Sequence, residues 1–183
     1  WHSFDSDRHP DLVKAVKTVK RWYNQRLPQG GALIITGNYG CGKTHLCRAI
    51  KDLYSIYAVM YDEVELFKEI QAGYSGYGTS EAAFMKKAHR ARLLIYDDLG
   101  SYETDNLRWV QGFYRQLFDN RCETGKGFLI TTNLSLKNRY KGEPSPFAER
   151  VGGRNFSRIM GAVGSSEYVI NLLNVPDYRL RKF

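Results

Sequence analysis

The chain has 183 residues, with 27 Lys and Arg against 19 Asp and Glu, for a formal charge of +8. That length suffices for one α/β domain with a buried core, and no apolar run approaches the roughly 20 residues that span a bilayer. The three cysteines, Cys41, Cys47 and Cys122, lack disulfide or metal-ligand spacing, which suits a reducing, cytoplasmic setting without membrane contact.

In chain order, the first element is a helix from Asp11, where Leu12, Val16, Val19 and Tyr23 recur on one face and Pro10 suits the first turn. Pro28 to Gly31 is a turn, and Ala32-Leu33-Ile34-Ile35-Thr36 is an apolar strand. The segment Gly37-Asn38-Tyr39-Gly40-Cys41-Gly42-Lys43-Thr44 then matches G-x-x-x-x-G-K-[ST] at every position. Glycines let such a loop curl so that its N–H groups face phosphate oxygens. Lys43 would reach the β- and γ-phosphates, and Thr44 would offer a hydroxyl to Mg²⁺. The helix that follows carries Leu46, Ile50, Leu53 and Tyr57 on one face, and it aims its positive end at the same anion. Cys41 lies inside the loop, where its backbone matters more than its thiol.

Ala58 to Tyr61 is a short strand, and Asp62 with Glu65 forms a capping box for a helix bearing Leu66, Phe67 and Ile70. A glycine-rich loop runs from Ala72 to Ser80. Ser80 caps a helix carrying Lys86, Lys87, His89 and Arg90. Leu93-Leu94-Ile95-Tyr96 is a buried strand that ends in Asp97-Asp98. Behind a phosphate loop, Asp97 is the expected Mg²⁺ partner and Asp98 the residue that orients the attacking water.

A helix with Val110, Phe113, Tyr114 and Leu117 on one face leads to a strand, Phe128 to Thr131. Asn133 follows at the strand tip. It could contact a γ-phosphate, and a turn asparagine fits the same residues. Phe147 to Met160 is expected to be helical, with Gly152-Gly153 weakening it. A continuous helix would put Arg150, Arg154 and Arg158 on one face, as an arginine finger or as a solvated basic stripe. Tyr168-Val169-Ile170 is the last strand. Strands alternating with helices predict a mostly parallel five-stranded sheet with helices on both faces, the three-layer sandwich of a P-loop NTPase. The +8 charge suggests a polyanionic partner, and a generally basic surface explains it equally well.

These residues, in this order, resemble the AAA+ ATPases of the bacterial helicase-loader group, DnaC, DnaI and the IstB-like transposition helpers. The resemblance covers nearly the whole chain. It rests on Phe4-Asp5, on Gly42-Lys43-Thr44-His45-Leu46, on Tyr77-Gly78-Thr79-Ser80-Glu81 and on Asp97-Asp98-Leu99-Gly100. It continues through Thr131-Thr132-Asn133-Leu134-Ser135, Gly153-Arg154-Asn155-Phe156-Ser157-Arg158 and Asp177-Tyr178-Arg179.

The resemblance implies one AAA+ domain over 1–183, with a linker and first helix over 1–31 and a loader-type insertion over 62–92. By the same resemblance, the C-terminal helical lid of fuller AAA+ proteins is not expected. Opening at Trp1, the chain is expected to be a piece of a longer protein with an upstream domain. ATP or ADP with Mg²⁺ would occupy Asn38, Tyr39, Gly40, Cys41, Gly42, Lys43, Thr44 and His45. Asp97 and Thr44 would serve the metal, Asp98 catalysis, and Asn133 would act as γ-phosphate sensor. Arg158, or failing it Arg154, would be the finger for a neighbouring subunit in an ATP-dependent oligomer. Many AAA+ proteins carry Glu where Asp98 stands, so slow hydrolysis is expected.

Tyr74 and Tyr77 for base stacking, with Lys86, Lys87, Arg90 and Arg92 for phosphates, would contact single-stranded DNA. A replicative helicase is the expected protein partner. An IstB-like helper that assembles on duplex DNA and recruits a transposase is the alternative. A small-molecule P-loop kinase is the alternative of another class.

Overall fold

All the residues of three strands, β1 (Ala32–Thr36), β3 (Leu93–Asp97) and β4 (Gly127–Thr132), are buried. Alternate residues of a strand point to opposite faces, so both faces of the sheet are covered. The computed structural model describes residues 4–182; residues 1–3 of the expected linker lie outside the described residues. With β2 (Ala58–Asp62) and β5 (Val169–Asn171) the sheet has five strands in the order β2-β3-β4-β1-β5. Every neighbouring pair is parallel, so the sheet is wholly parallel. The expected α/β class is what the chain adopts. The register sets Thr36 beside Thr132 and Tyr96 beside Ile130, which brings the C-terminal tips of β1, β3 and β4 level. In open parallel sheets that edge is where ligands collect.

Helix α1 (Pro10–Gln25) places Pro10 in its first turn, and the His9 side chain accepts from the Asp11 N–H. Its inward face is Leu12, Ala15, Val19 and Trp22. Tyr23, expected inside, is largely exposed; Trp22 takes the core position and donates its indole N–H to Gly31 O at 3.2 Å. Helix α2 (Lys43–Tyr54) buries Leu46 and Ile50, but Leu53 and Tyr57 are exposed. The helix ends before Tyr57, which sits in a following 3-10 turn, so the expected face does not continue.

Helix α3 (Glu63–Tyr74) is capped by Asp62, whose carboxylate accepts from the Glu65 N–H at 3.1 Å. Ser80 caps α4 (Glu81–Arg90) by accepting from the Ala83 N–H at 3.2 Å. Helix α5 (Leu107–Glu123) packs the expected Val110, Phe113, Tyr114 and Leu117 inward and adds a buried cation, Arg121. The Arg121 guanidinium donates to Ala88 O, Ala91 O, Arg92 O and Gly127 O, tying the end of α4 to β4. Burial lowers its pKa to about 10, which still leaves it charged at neutral pH.

The expected single helix over 147–160 is two. Helix α6 (Pro146–Val151) stops at Gly152, whose φ of 85° is incompatible with a continuing helix, and α7 (Gly153–Val163) restarts beyond it. The last strand begins one residue later than expected, because Tyr168 belongs to a 3-10 turn. No helix among the described residues is long and apolar enough to cross a membrane.

Candidate functional site

The phosphate-loop motif occupies the turn from the tip of β1 into α2. Gly40 and Gly42 have φ of 69° and 100°, a backbone region that glycine enters without penalty. Gly42 O accepts from the Leu46 N–H at 2.9 Å, so α2 begins as the loop closes. Lys43 is only 7% exposed. Its ammonium donates to Gly37 O and Asn38 O, both at 2.9 Å, and to Asn133 Oδ1 at 2.7 Å. Among the described residues no carboxylate pairs with it. The Cys41 thiol lies 3.8 Å from it. A buried ammonium served only by neutral groups is a place for an anion.

The carboxylates arrive on β3. Asp97, its last residue, is buried, and it accepts from the Thr131 hydroxyl at 2.5 Å. Burial pushes its carboxyl above the usual range, while hydrogen bonds from Thr131 and Thr44 pull it back. Asp98 follows with φ 58°, the one non-glycine positive φ among the described residues. Its N–H donates to Thr131 Oγ1 at 2.8 Å, and its Oδ1 accepts from Asn133 Nδ2 at 2.7 Å. The Leu99 N–H donates to Thr131 O, and the Thr132 hydroxyl donates to Leu99 O. The turn after β3 is thereby pinned to the end of β4. Lys43, Asn133 and Asp98 form one continuous chain of hydrogen bonds across the tips of three adjacent strands.

A cleft of about 320 Å³ opens over this chain, with Tyr39, Gly40, Gly42, Lys43, Thr44, His45, Asp98 and Asn133 in its wall. Asn38 and Cys41 belong to the loop without lining the cleft. The Asn38 side chain turns aside toward Leu173 O at 3.4 Å, and the Cys41 thiol is buried, which raises its pKa. Arg8, Arg48, Tyr178 and Arg179 also line the cleft. Sequence reasoning assigned none of the four to the site; Tyr178 and Arg179 entered it only as part of a C-terminal tail. Arg48 stands one helical turn after Thr44, a spacing that could have revealed it.

A second polar cluster braces the site from beneath. Glu63, fully buried at the start of α3, accepts from the Gly100 N–H, the Tyr102 N–H and the Tyr114 hydroxyl at 3.0, 3.2 and 2.6 Å. Arg150 pairs with it at 3.0 Å and also donates to Tyr102 O. Burial raises the Glu63 carboxyl, and its donors oppose that rise. The loop following Asp97-Asp98 is therefore held by α3, α5 and α6 together.

Arg150 thus faces inward. The break at Gly152 separates it from Arg154 and Arg158, so the three do not share one face. Arg154 and Arg158 both pair with Asp119, at 3.6 and 3.2 Å, and Arg158 also reaches Glu123 at 3.4 Å. Arg158 borders a groove with Gly30 and Gly31, which precede β1, at the edge of the sheet opposite the phosphate loop. Within one chain it is a whole strand length away from Lys43. Tyr74, Tyr77, Lys86, Lys87 and Arg90 are exposed, as is Arg92. They belong to α3, α4 and the connections around them, away from the cleft wall.

Three solved structures are similar along most of this chain. The crystal structure of the DnaC helicase loader matches with a TM-score of 0.67 and 23% identity, over 89% of this chain and 90% of its own. The crystal structure of DnaI matches with a TM-score of 0.59 and 18% identity, over 90% and 82% respectively. The chain shares its fold with these two structures. The replication initiator DnaA, in a structure bound to AMPPCP and single-stranded DNA, matches with a TM-score of 0.62 and 16% identity. That match takes in 86% of this chain and 44% of DnaA. No protein-family model matches the chain, and no curated protein matches it either.

Proposed function

We propose that this chain is the ATPase module of a replication protein of helicase-loader type, binding and hydrolysing ATP to control its own assembly on single-stranded DNA. One observation carries the reading. The buried Lys43 ammonium is met by neutral oxygens and the Cys41 thiol, with no carboxylate paired to it among the described residues, and is linked through Asn133 to Asp98. An anion completes Lys43, and a carboxylate stands beside the place where that anion would lie. The likeness to DnaC, DnaI and DnaA supports this at the level of the fold.

The N–H groups from Gly40 to Thr44 and the start of α2 would receive the phosphates. Thr44 and Asp97 suit Mg²⁺. Among the described residues no group of three metal-ligating side chains occurs, so such an ion would complete its shell from phosphate and water. When bound, Mg²⁺ supplies charge neutralisation for phosphoryl transfer. Asp98 orients the attacking water, and Asn133 links the γ-phosphate position to Asp98. Arg158, too far to serve its own loop, acts on a second copy of the chain, with Arg154 beside it. The exposed tyrosines and cations of 74–92 grip single-stranded DNA, and the assembled protein delivers a replicative helicase.

The test is ATP hydrolysis by the purified chain, alone and with single- or double-stranded DNA at several salt concentrations, with oligomeric state measured alongside. ATP-dependent assembly favoured by single strands is the expected result. Assembly on duplex alone would move the reading to a transposition helper. Hydrolysis that requires a small acceptor would move it to a kinase. An Arg158→Ala chain that assembles and hydrolyses normally removes the finger assignment.

A further inference from the structure

The segment after β5 does not trail away from the domain. Leu172 and Val175 are buried, and the Leu172 N–H donates to Thr36 O at 2.7 Å, which anchors the segment beside β1. It then crosses the phosphate loop. The Tyr178 N–H donates to Gly40 O at 3.3 Å. The Asp177 carboxylate lies so close to Gly40 that a Cβ there would sit 1.7 Å from Asp177 Oδ1. Asp177 in turn holds Arg179, accepting from its N–H at 2.8 Å and its Nε at 3.2 Å.

From the other side comes the segment before α1. Phe4 reaches the loop at Gly42, where a Cβ would lie 3.7 Å from its ring. The Arg8 guanidinium, braced by Asp5, stands 5.6 Å from the centre of the Tyr178 ring. Both Arg8 and Tyr178 line the same cleft as Lys43 and Thr44.

Resting on the nucleotide reading above, we infer that Tyr178 and Arg8 form the base site of the cleft, the ring and the guanidinium plane receiving the heterocycle of the nucleoside triphosphate. The chemistry fits. A phenol ring and a guanidinium are both flat, polarisable surfaces on which a base stacks. The Tyr178 side is set before a ligand enters by the buried anchors of its segment, whereas Arg8 is held by an exposed pair with Asp5 and lies over the ring, so the ordering cost of admitting the base falls on Arg8. The contact at Gly40 ties this base site to the phosphate loop itself. The segment after β5 then covers a nucleotide that an open strand edge would leave bare.

The experiment compares binding of ATP and of inorganic tripolyphosphate, both with Mg²⁺, to the wild-type chain and to Tyr178→Ala, Tyr178→Phe and Lys43→Ala. Loss of one stacked ring predicts about tenfold weaker ATP binding for Tyr178→Ala, with tripolyphosphate affinity unchanged. Tyr178→Phe keeps the ring and is expected to bind ATP like the wild type. Lys43→Ala is expected to weaken both ligands by about 100-fold. The base site is overturned if Tyr178→Ala binds ATP as the wild type does, or if it loses tripolyphosphate to the same extent, since that would mark a disturbed loop. A wild-type chain that binds neither ligand overturns the nucleotide reading, and the base site with it.

Discussion

Two buried polar clusters lie within a few residues of each other, and they differ in how they close. Around Glu63 the account is complete: one carboxylate meets one guanidinium, one hydroxyl and two N–H groups. Around Lys43 a full positive charge meets only neutral groups, carbonyl and amide oxygens and the Cys41 thiol. The first cluster holds the turn after β3 in place. The second leaves a charge unmatched at the mouth of a cleft. Both would look alike in a tally of buried polar residues, and charge balance separates the brace from the site.

Breaking the brace is expected to have the largest effect. Glu63→Ala strands the Arg150 guanidinium in the interior, with an expected loss of about 3–5 kcal/mol in urea unfolding. Lys43→Ala removes a charge that the folded chain does not itself neutralise. It should lower ATP affinity by about 100-fold, the scale of a pair of charge-assisted hydrogen bonds, while leaving the unfolding midpoint near that of the wild type. A large drop in that midpoint would erase the contrast between the clusters. Tyr114→Phe is the milder probe of the brace: removing one donor from Glu63 should cost about 2 kcal/mol and leave ATP affinity unchanged.

The smallest expected effect has the opposite sign. Burial raises the Asp97 carboxyl above its ordinary value of 3.8, so its ionised form costs stability at neutral pH. That cost is absent below the ordinary value and appears as pH rises through the raised one. Asp97→Asn should therefore melt slightly higher than the wild type at pH 7, the difference vanishing toward pH 4, while Mg²⁺-dependent hydrolysis is lost. A variant that melts lower at pH 7 would mean that the hydrogen bonds to Thr131 and Thr44 outweigh desolvation.

The phosphate loop was legible because its chemistry is contiguous: eight neighbouring residues carry the whole geometry. Asp97 and Asp98 were legible for a similar reason, an apolar run with acids at its end. Asn133 by itself reads as an ordinary turn former; the pairing of β4 with β1 brings it between Lys43 and Asp98. Glu63 left no local trace, since its partners stand 37, 39, 51 and 87 positions away. Arg121 was hidden for a related reason, because its partners are carbonyls, which no side-chain pattern announces. Trp22 in place of Tyr23 was a matter of one position on a helix, decided by a hydrogen bond to Gly31. The split at Gly152 was half visible in the paired glycines, yet only the fold shows that it sends Arg150 inward and leaves Arg154 and Arg158 with Asp119.

The backbone at Asp98 explains a choice of residue that reach alone does not. A longer acid would extend farther over the cleft, yet the chain turns there through a φ of 58°. Aspartate and asparagine enter that left-handed region more readily than longer or branched side chains. An Asp98→Glu chain would thus exchange reach for backbone strain. The acid at this position answers to the shape of the turn as much as to its reagent.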